Sequence, residues 1–267
     1  MDTATFNDFR KLIYGVSGIS LNEQKRALVV GRLSKRMRAL GINDFREYYN
    51  YVLKDKTGTE ITKLIDAIST NVTHFFREAD HFTFLKNKLL EWYDLGQKRF
   101  RIWSSACSTG EEPYTIAMVV LETLKGPDID IKILATDIST RVLEHSKKGE
   151  YYSHKVEDIP KHLLLKYFTK KREGDDCVYV VNEKLKNIIK FARLNLKSTP
   201  YPMQGPFDAI FCRNVMIYFD ESVRELLISE IYRLLRKGGY LFIGHSESIT
   251  SSQNKLQILK PSIYYKP

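Results

Sequence analysis

Up to about residue 70, apolar positions recur only at helical spacing. Phe6, Phe9, Leu12 and Ile13 form one stripe. A longer amphipathic pattern runs from Leu21 to Leu40, with Val29, Leu33, Met37 and Leu40 on one face. Gly41 stands where a glycine closes a helix, because its backbone enters the left-handed region without a Cβ penalty. Phe45, Tyr48, Tyr49 and Val52 predict a third helix, and Ile61 to Ile68 a fourth. Residues 1-70 therefore predict an N-terminal all-α bundle.

From about residue 99 the period changes. Short apolar runs at 100–104, 131–137, 188–194, 207–212 and 240–244 read as strands, and amphipathic helices separate most of them. That alternation predicts an α/β domain over 71-267, with a mainly parallel sheet and helices on both faces. A last apolar stretch, 256–259 with 263–265, fits a hairpin. The segment from about 149-187 breaks the rhythm. It reads as an inserted β-subdomain, with a short helix at 160–168, a charged turn at 170–176 and a strand at 177–181.

The chemistry concentrates where the strand at 100–104 meets the next helix. Ser104-Ser105-Ala106-Cys107-Ser108-Thr109-Gly110 is a tight small-residue turn, and Glu111-Glu112-Pro113 opens the helix. Proline suits a first helical turn, where its missing N–H has no intrahelical partner. A strand, a tight turn and a helix N-terminus make a nucleotide-type cradle. The next strand ends on Asp137, 27 residues after Gly110, near the spacing of an acid that accepts ribose hydroxyls. A pyrophosphate needs several close backbone N–H groups and hence several glycines; here Gly110 stands alone. A phosphate-free, cationic ligand such as S-adenosylmethionine suits the single glycine and the acid Glu111. Each residue also has a plainer role, Glu111 and Glu112 as helix-start acids and Asp137 as a cap. Arg213 and Asn214 follow the strand at 207–212, at the carboxyl end where open α/β sheets bind ligands, and Asn195 ends the preceding strand in the same way.

Composition bounds partners rather than fold. The formal net charge of +10 attracts something anionic: nucleic acid, a membrane surface or an acidic protein. Lys25, Arg26, Arg32, Lys35, Arg36 and Arg38 crowd one helix with no acid between Lys25 and Arg38. No apolar run approaches the ~20 residues of a membrane span, and the N-terminus has no signal-peptide core. Three widely spaced cysteines read as reduced thiols, and six histidines show no metal-ligand spacing, so no metal is expected. A flipped-base motif or stacking platform is not evident, so nucleic acid is not expected as a partner.

Five motifs in order carry a resemblance: Asn71-Val72-Thr73-His74-Phe75-Phe76-Arg77, Ser108-Thr109-Gly110-Glu111-Glu112-Pro113-Tyr114, Ala135-Thr136-Asp137-Ile138, Phe211-Cys212-Arg213-Asn214-Val215-Met216-Ile217-Tyr218-Phe219 and Gly244-His245-Ser246-Glu247-Ser248. They resemble the CheR-type chemotaxis receptor glutamate methyltransferases over nearly the whole chain. The resemblance implies a Rossmann-like S-adenosylmethionine-dependent methyltransferase fold. It implies cofactor contacts, for S-adenosylmethionine or its product S-adenosylhomocysteine, from Asn71, Thr73, Arg77, Glu111, Asp137, Asn195, Leu196, Arg213 and Asn214. It implies methylation of glutamate carboxylates on the cytoplasmic helical bundle of a chemoreceptor (a methyl-accepting chemotaxis protein) by a cytoplasmic monomer. No catalytic side chain is identified.

Under that resemblance the acceptor is an acidic helical bundle, so Lys25, Arg32, Lys35 and Arg36 are expected to dock it. Reversing Arg32 and Arg36 to Glu is then expected to weaken methylation and to spare cofactor affinity. Two departures stand out. Val72 replaces a Glu of many members, and Thr169-Lys170-Lys171-Arg172-Glu173-Gly174 replaces the R-G-x-G turn that grips a receptor's C-terminal pentapeptide. A non-catalytic cofactor-binding adaptor stays open as the alternative.

Overall fold

A computed structural model describes residues 1–126, 128–174, 176–249 and 255–267. The bundle comprises α1 (Thr3–Ser17), α2 (Arg26–Leu40), α3 (Phe45–Lys54) and α4 (Thr59–Ile68), with a 3-10 turn at Glu23–Lys25 leading into α2. Asp2 caps α1 by accepting the Thr5 N–H at 2.8 Å, and Gly41 ends α2 at φ 71°. The predicted stripes meet in one core of Phe6, Phe9, Ile13, Val29, Leu33, Tyr48 and Leu64. At its margin the carboxylate of Glu60 accepts from Tyr48 Oη at 2.8 Å and from Arg36 Nε at 2.9 Å.

α5 (Ala79–Asp94), a helix outside the predicted set, leads into the sheet. There follow β1 (Arg99–Ser104), α6 (Glu111–Thr123), β2 (Asp130–Asp137), α7 (Thr140–Lys148), β3 (Glu150–Tyr152), α8 (Lys161–Tyr167), β4 (Phe168–Glu173), β5 (Asp176–Val181) and α9 (Glu183–Lys186). β6 (Ile189–Arg193), β7 (Phe207–Cys212), α10 (Glu221–Leu234), β8 (Leu235–Ile243), β9 (Gln257–Lys260) and β10 (Ile263–Tyr265) complete the chain. The main sheet has the order β6-β2-β1-β7-β8-β10-β9. Its first five strands pair in parallel, and the predicted terminal hairpin adds β10 and β9 antiparallel at one edge.

Alternation along the strands divides the core between two faces. Phe100 and Ile102 of β1 pack with Phe82, Leu85 and Leu89 of α5 and Ile116 and Val120 of α6. Trp103, Ile210 and Leu241 pack on the other face with Leu227 and Ile231 of α10. Apolar residues of period two thus need helices on both sides.

The insertion is a separate three-stranded antiparallel sheet, β3-β5-β4. The charged turn expected at 170–176 is instead mostly strand: β4 pairs with β5 from Phe168↔Val181 to Glu173↔Asp176, and the chain reverses at Gly174. Backbone pairing with an apolar neighbour overrides the low strand propensity of Lys170-Lys171-Arg172.

The chain runs from β1 outward to β2 and β6, then returns across β1 to β7 and β8. Strand order therefore reverses between β1 and β7, which is where open α/β sheets place a ligand crevice. The bundle closes over this end. Tyr14 Oη donates to Asp220 at 2.6 Å, Asn195 Nδ2 to the Val16 carbonyl at 2.7 Å, and the Ser20 N–H to the Tyr218 carbonyl at 2.8 Å.

Candidate functional site

Three strand ends build the site. After β1 the chain turns sharply: the Cys107 N–H donates to the Thr136 carbonyl at 2.9 Å and Gly110 N–H to the Cys107 carbonyl at 3.0 Å. Gly110 has φ 99°, and a Cβ there would lie 2.8 Å from Tyr151 Oη, so only glycine fits. The turn aims the Ser108 N–H at Asp137 Oδ2, 2.9 Å away, while Asp137 Oδ1 accepts the Ser139 N–H at 3.0 Å. An ionised carboxylate offers about four lone-pair sites. These two bonds leave two of them for hydroxyl donors. Burial pushes the Asp137 carboxyl above its ordinary range, against the lowering effect of the Ser139, Ser108 and Ile138 amides.

Beyond β7, Arg213 is a buried hub. Its guanidinium donates to Glu112 Oε2 at 3.0 Å, to Glu78 Oε2 at 3.1 and 3.2 Å, and to the Arg77 carbonyl. Burial pushes Glu112 up despite Arg213. Glu78 feels the same burial, but Arg213 and the His245 amide outweigh it and hold the carboxyl low. Glu247 fixes the adjoining loop. One of its oxygens accepts from the Gly244 and Asn214 N–H groups at 2.7 and 2.8 Å, the other from Met216 N–H at 2.8 Å. Those bonds hold Asn214 in the left-handed region at φ 56°. The late Gly-His-Ser-Glu-Ser motif is thus a loop clamp.

A cleft of ≈ 1180 Å³, open mouth included, lies between the bundle and these strand ends. Of the nine expected cofactor residues, Asn71, Thr73, Arg77, Asp137, Asn195, Leu196, Arg213 and Asn214 line it. Glu111 does not. Its side chain is buried and accepts from Thr109 Oγ1 at 2.6 Å. One residue further round the helix, Glu112 occupies the lining instead, because successive helical side chains diverge by about 100°. Spacing could not choose between two adjacent acids.

The basic helix also divides. Lys35 is exposed, whereas Lys25 and Arg32 line the cleft. Arg32 donates to the Ile68 carbonyl and to Thr70 Oγ1 at 3.0 Å. Arg36 is bound to the buried Glu60, and that bond raises its pKa. Arg36 is thereby a bundle residue rather than a free docking charge. Reversing Arg32 and Arg36 would damage the cleft wall and the bundle core edge together, so it cannot isolate docking.

Two family models cover the chain. The all-alpha domain of the CheR methyltransferases matches residues 4–69, and their SAM binding domain matches residues 71–265. The chain belongs to the CheR methyltransferase family. A chemotaxis protein methyltransferase of Borreliella burgdorferi is 42% identical over 263 residues, covering 96% of this chain and 92% of that one. One of Escherichia coli is 38% identical over 267 residues, covering 99% and 91%. Chemotaxis protein methyltransferase 2 of Pseudomonas aeruginosa is 38% identical over 260 residues, covering 97% and 91%.

Two observations in this CheR chain fit S-adenosylmethionine. Asp137 keeps two acceptor sites spare. Asn71 Nδ2 is a buried donor with no hydrogen-bond partner among the described residues, at the cleft wall. Orphaned buried donors are costly, and a ligand acceptor would relieve this one. Leu194 and Leu196 add an apolar stretch to the wall of the cleft. Glu112, Ser108, Tyr218 and Glu247 stand in motifs the sequence offered but were not expected as site residues, and Glu78 stood in none. The double acid after Gly110 was the signal for Glu112 and the Gly244–Ser248 motif that for Glu247; Glu78 had none.

Proposed function

We propose that this protein transfers a methyl group from S-adenosylmethionine to glutamate side-chain carboxylates on the cytoplasmic helices of a chemoreceptor. The products are glutamate methyl esters and S-adenosylhomocysteine, and the protein acts as a cytoplasmic monomer. The carrying observation is the cleft itself: an acceptor at Asp137, an orphan donor at Asn71, and a lining that includes the cations Lys25 and Arg32. Cations in the lining favour an anionic acceptor over a neutral one.

Bound there, S-adenosylmethionine supplies an electrophilic methyl group on a sulfonium. The chain's own residues supply the rest. Asp137 holds the ribose hydroxyls. Asn71 and Asn214 offer amide donors and acceptors, and Leu196 excludes water. The Arg213 guanidinium, neutralised by Glu78 and Glu112, keeps the Arg77 backbone and the Asn214 loop in place. A glutamate acceptor, with an ordinary pKa of ~4.3, is already ionised at neutral pH and needs no general base. Positioning is then the main source of acceleration, of the order of ~7–11 kcal/mol for well-oriented reactants.

Docking falls to the exposed part of the basic helix, Lys35 with Arg38, and to the cations that line the cleft. The test is incubation with radiolabelled methyl donor and either receptor cytoplasmic fragments or RNA. Base-labile label on the receptor is expected. Label on RNA alone, or cofactor binding without transfer to any receptor fragment, would overturn the proposal.

A further inference from the structure

Two apolar side chains in the lining of the cleft are left to solvent. Leu28 is 38% exposed and Val72 77% exposed, and both line the space between the bundle and the strand ends. A lining residue that solvent reaches stands on the outer rim. Single exposed apolar residues are ordinary on any surface. These two differ in their place and in how they are held. The Val72 carbonyl accepts from Arg77 Nη1 at 3.0 Å, and the Asn71 carbonyl before it accepts from Ser108 Oγ at 3.0 Å. A tethered backbone and a stiff β-branched side chain thus present Val72 to solvent in one fixed position. Leu28 stands on α2 one turn before Arg32 and three residues after Lys25, so it lies between the two cations of the lining.

We propose that Leu28 and Val72 form an apolar rim that reads the side chain one helical turn away from the acceptor glutamate and favours an apolar residue there. The inference rests on the methyl transfer proposed above. A glutamate on a helix reaches the strand ends by pointing into the cleft. Its neighbours three and four residues away share that face, about 5–6 Å off, and so come to the rim; those one and two residues away turn elsewhere. Lys25 and Arg32 draw in the carboxylate, so charge places the glutamate and the apolar pair tests what stands beside it. A polar neighbour set against Leu28 and Val72 would lose water without gaining a hydrogen-bond partner. The departure at Val72 has a second effect. A carboxylate at that position would share the lining with Lys25 and Arg32 and offset the attraction that they exert on the acceptor.

The test uses the full chain and receptor cytoplasmic fragments with one acceptor glutamate. Each position three or four residues to either side of that glutamate is set in turn to Leu or Gln, which have similar helix propensity and leave the acceptor helix intact. Initial rates with radiolabelled methyl donor give kcat/KM. At one or more of these positions Leu is expected to exceed Gln by about tenfold, chiefly through KM. Leu28→Gln, and Val72→Thr, which keeps the β-branched shape, should each cut that ratio to about threefold or less. The Kd for S-adenosylhomocysteine should move by less than about threefold in both. Equal rates for Leu and Gln at every position overturn this inference and leave the methyl transfer standing. A ratio that survives both substitutions overturns it too, as does a larger loss of S-adenosylhomocysteine affinity in Val72→Thr, which would make that residue part of the cofactor wall. Failure to methylate any fragment removes the proposed function itself, and this inference with it.

Discussion

Replacing Asp137 by Asn separates binding from folding. In the wild-type protein each carboxylate oxygen already accepts one backbone N–H, from Ser108 and Ser139, and two lone-pair sites remain for the ribose. Asparagine keeps the shape but has one acceptor oxygen and no charge. Two charge-assisted bonds of roughly 1.5–3 kcal/mol each are replaced by one neutral bond of roughly 0.5–1.5 kcal/mol. A net loss of about 2–4 kcal/mol follows, or roughly 30- to 1,000-fold in Kd for S-adenosylhomocysteine. Stability should change far less. The new NH₂ meets a backbone N–H, at a cost of about 1–3 kcal/mol, but a buried negative charge is removed at the same time.

The sign of the pH dependence provides an internal check. Burial raises the Asp137 pKa, while hydroxyl donors from a ligand favour the ionised form. Affinity should therefore rise with pH through that raised pKa, and binding below it should release a proton. Calorimetry in buffers of different ionisation enthalpy measures both, and Asp137→Asn should abolish the proton release. A change in Kd of less than about threefold, with the proton release intact, would refute the ribose assignment.

Other expectations follow from the same geometry. Arg213→Ala leaves Glu78 and Glu112 as neighbouring buried acids and should cost about 3–5 kcal/mol, read from the urea midpoint; an unchanged midpoint would show that the hub is not structural. Arg36→Glu should destabilise the protein by about 3 kcal/mol through Glu60, whereas Lys35→Glu should leave thermal stability unchanged and weaken receptor methylation. If Lys35→Glu combined with Arg38→Glu leaves the methylation rate untouched, the exposed face does not dock the acceptor. At saturating cofactor and receptor, kcat should be flat from pH 6 to 8. A titration in that window that vanishes on substitution of one side chain would reveal a catalytic base.

Several features depended only on neighbours in the chain and so were legible from it. The helical period up to Ile68, the cap at Gly41, the strands at 100–104, 131–137 and 207–212, and the terminal hairpin all reflect local propensity and one-sided burial. The cradle was legible for the same reason: strand, turn, lone glycine and helix start are contiguous, and Asp137 ends the next strand. Where nearest-neighbour information was insufficient, tertiary structure decided. Strand pairing turned residues 170–173 of the expected turn into part of β4, because a backbone ladder can outweigh side-chain preference. Rotation of one residue around α6 put Glu112, not Glu111, on the cleft. Burial beside Glu60 drew Arg36 out of the docking set, an effect invisible in a run of like charges. Folding also brings His245 beside Glu78 and His81, a neighbourhood that separation along the chain does not show. Sequence alone determined most of the elements and the strand–turn–helix cradle at the cleft, because both are written in short-range order; α5 and β4 were not. Which side chain of each pair faces that cleft was settled only by packing.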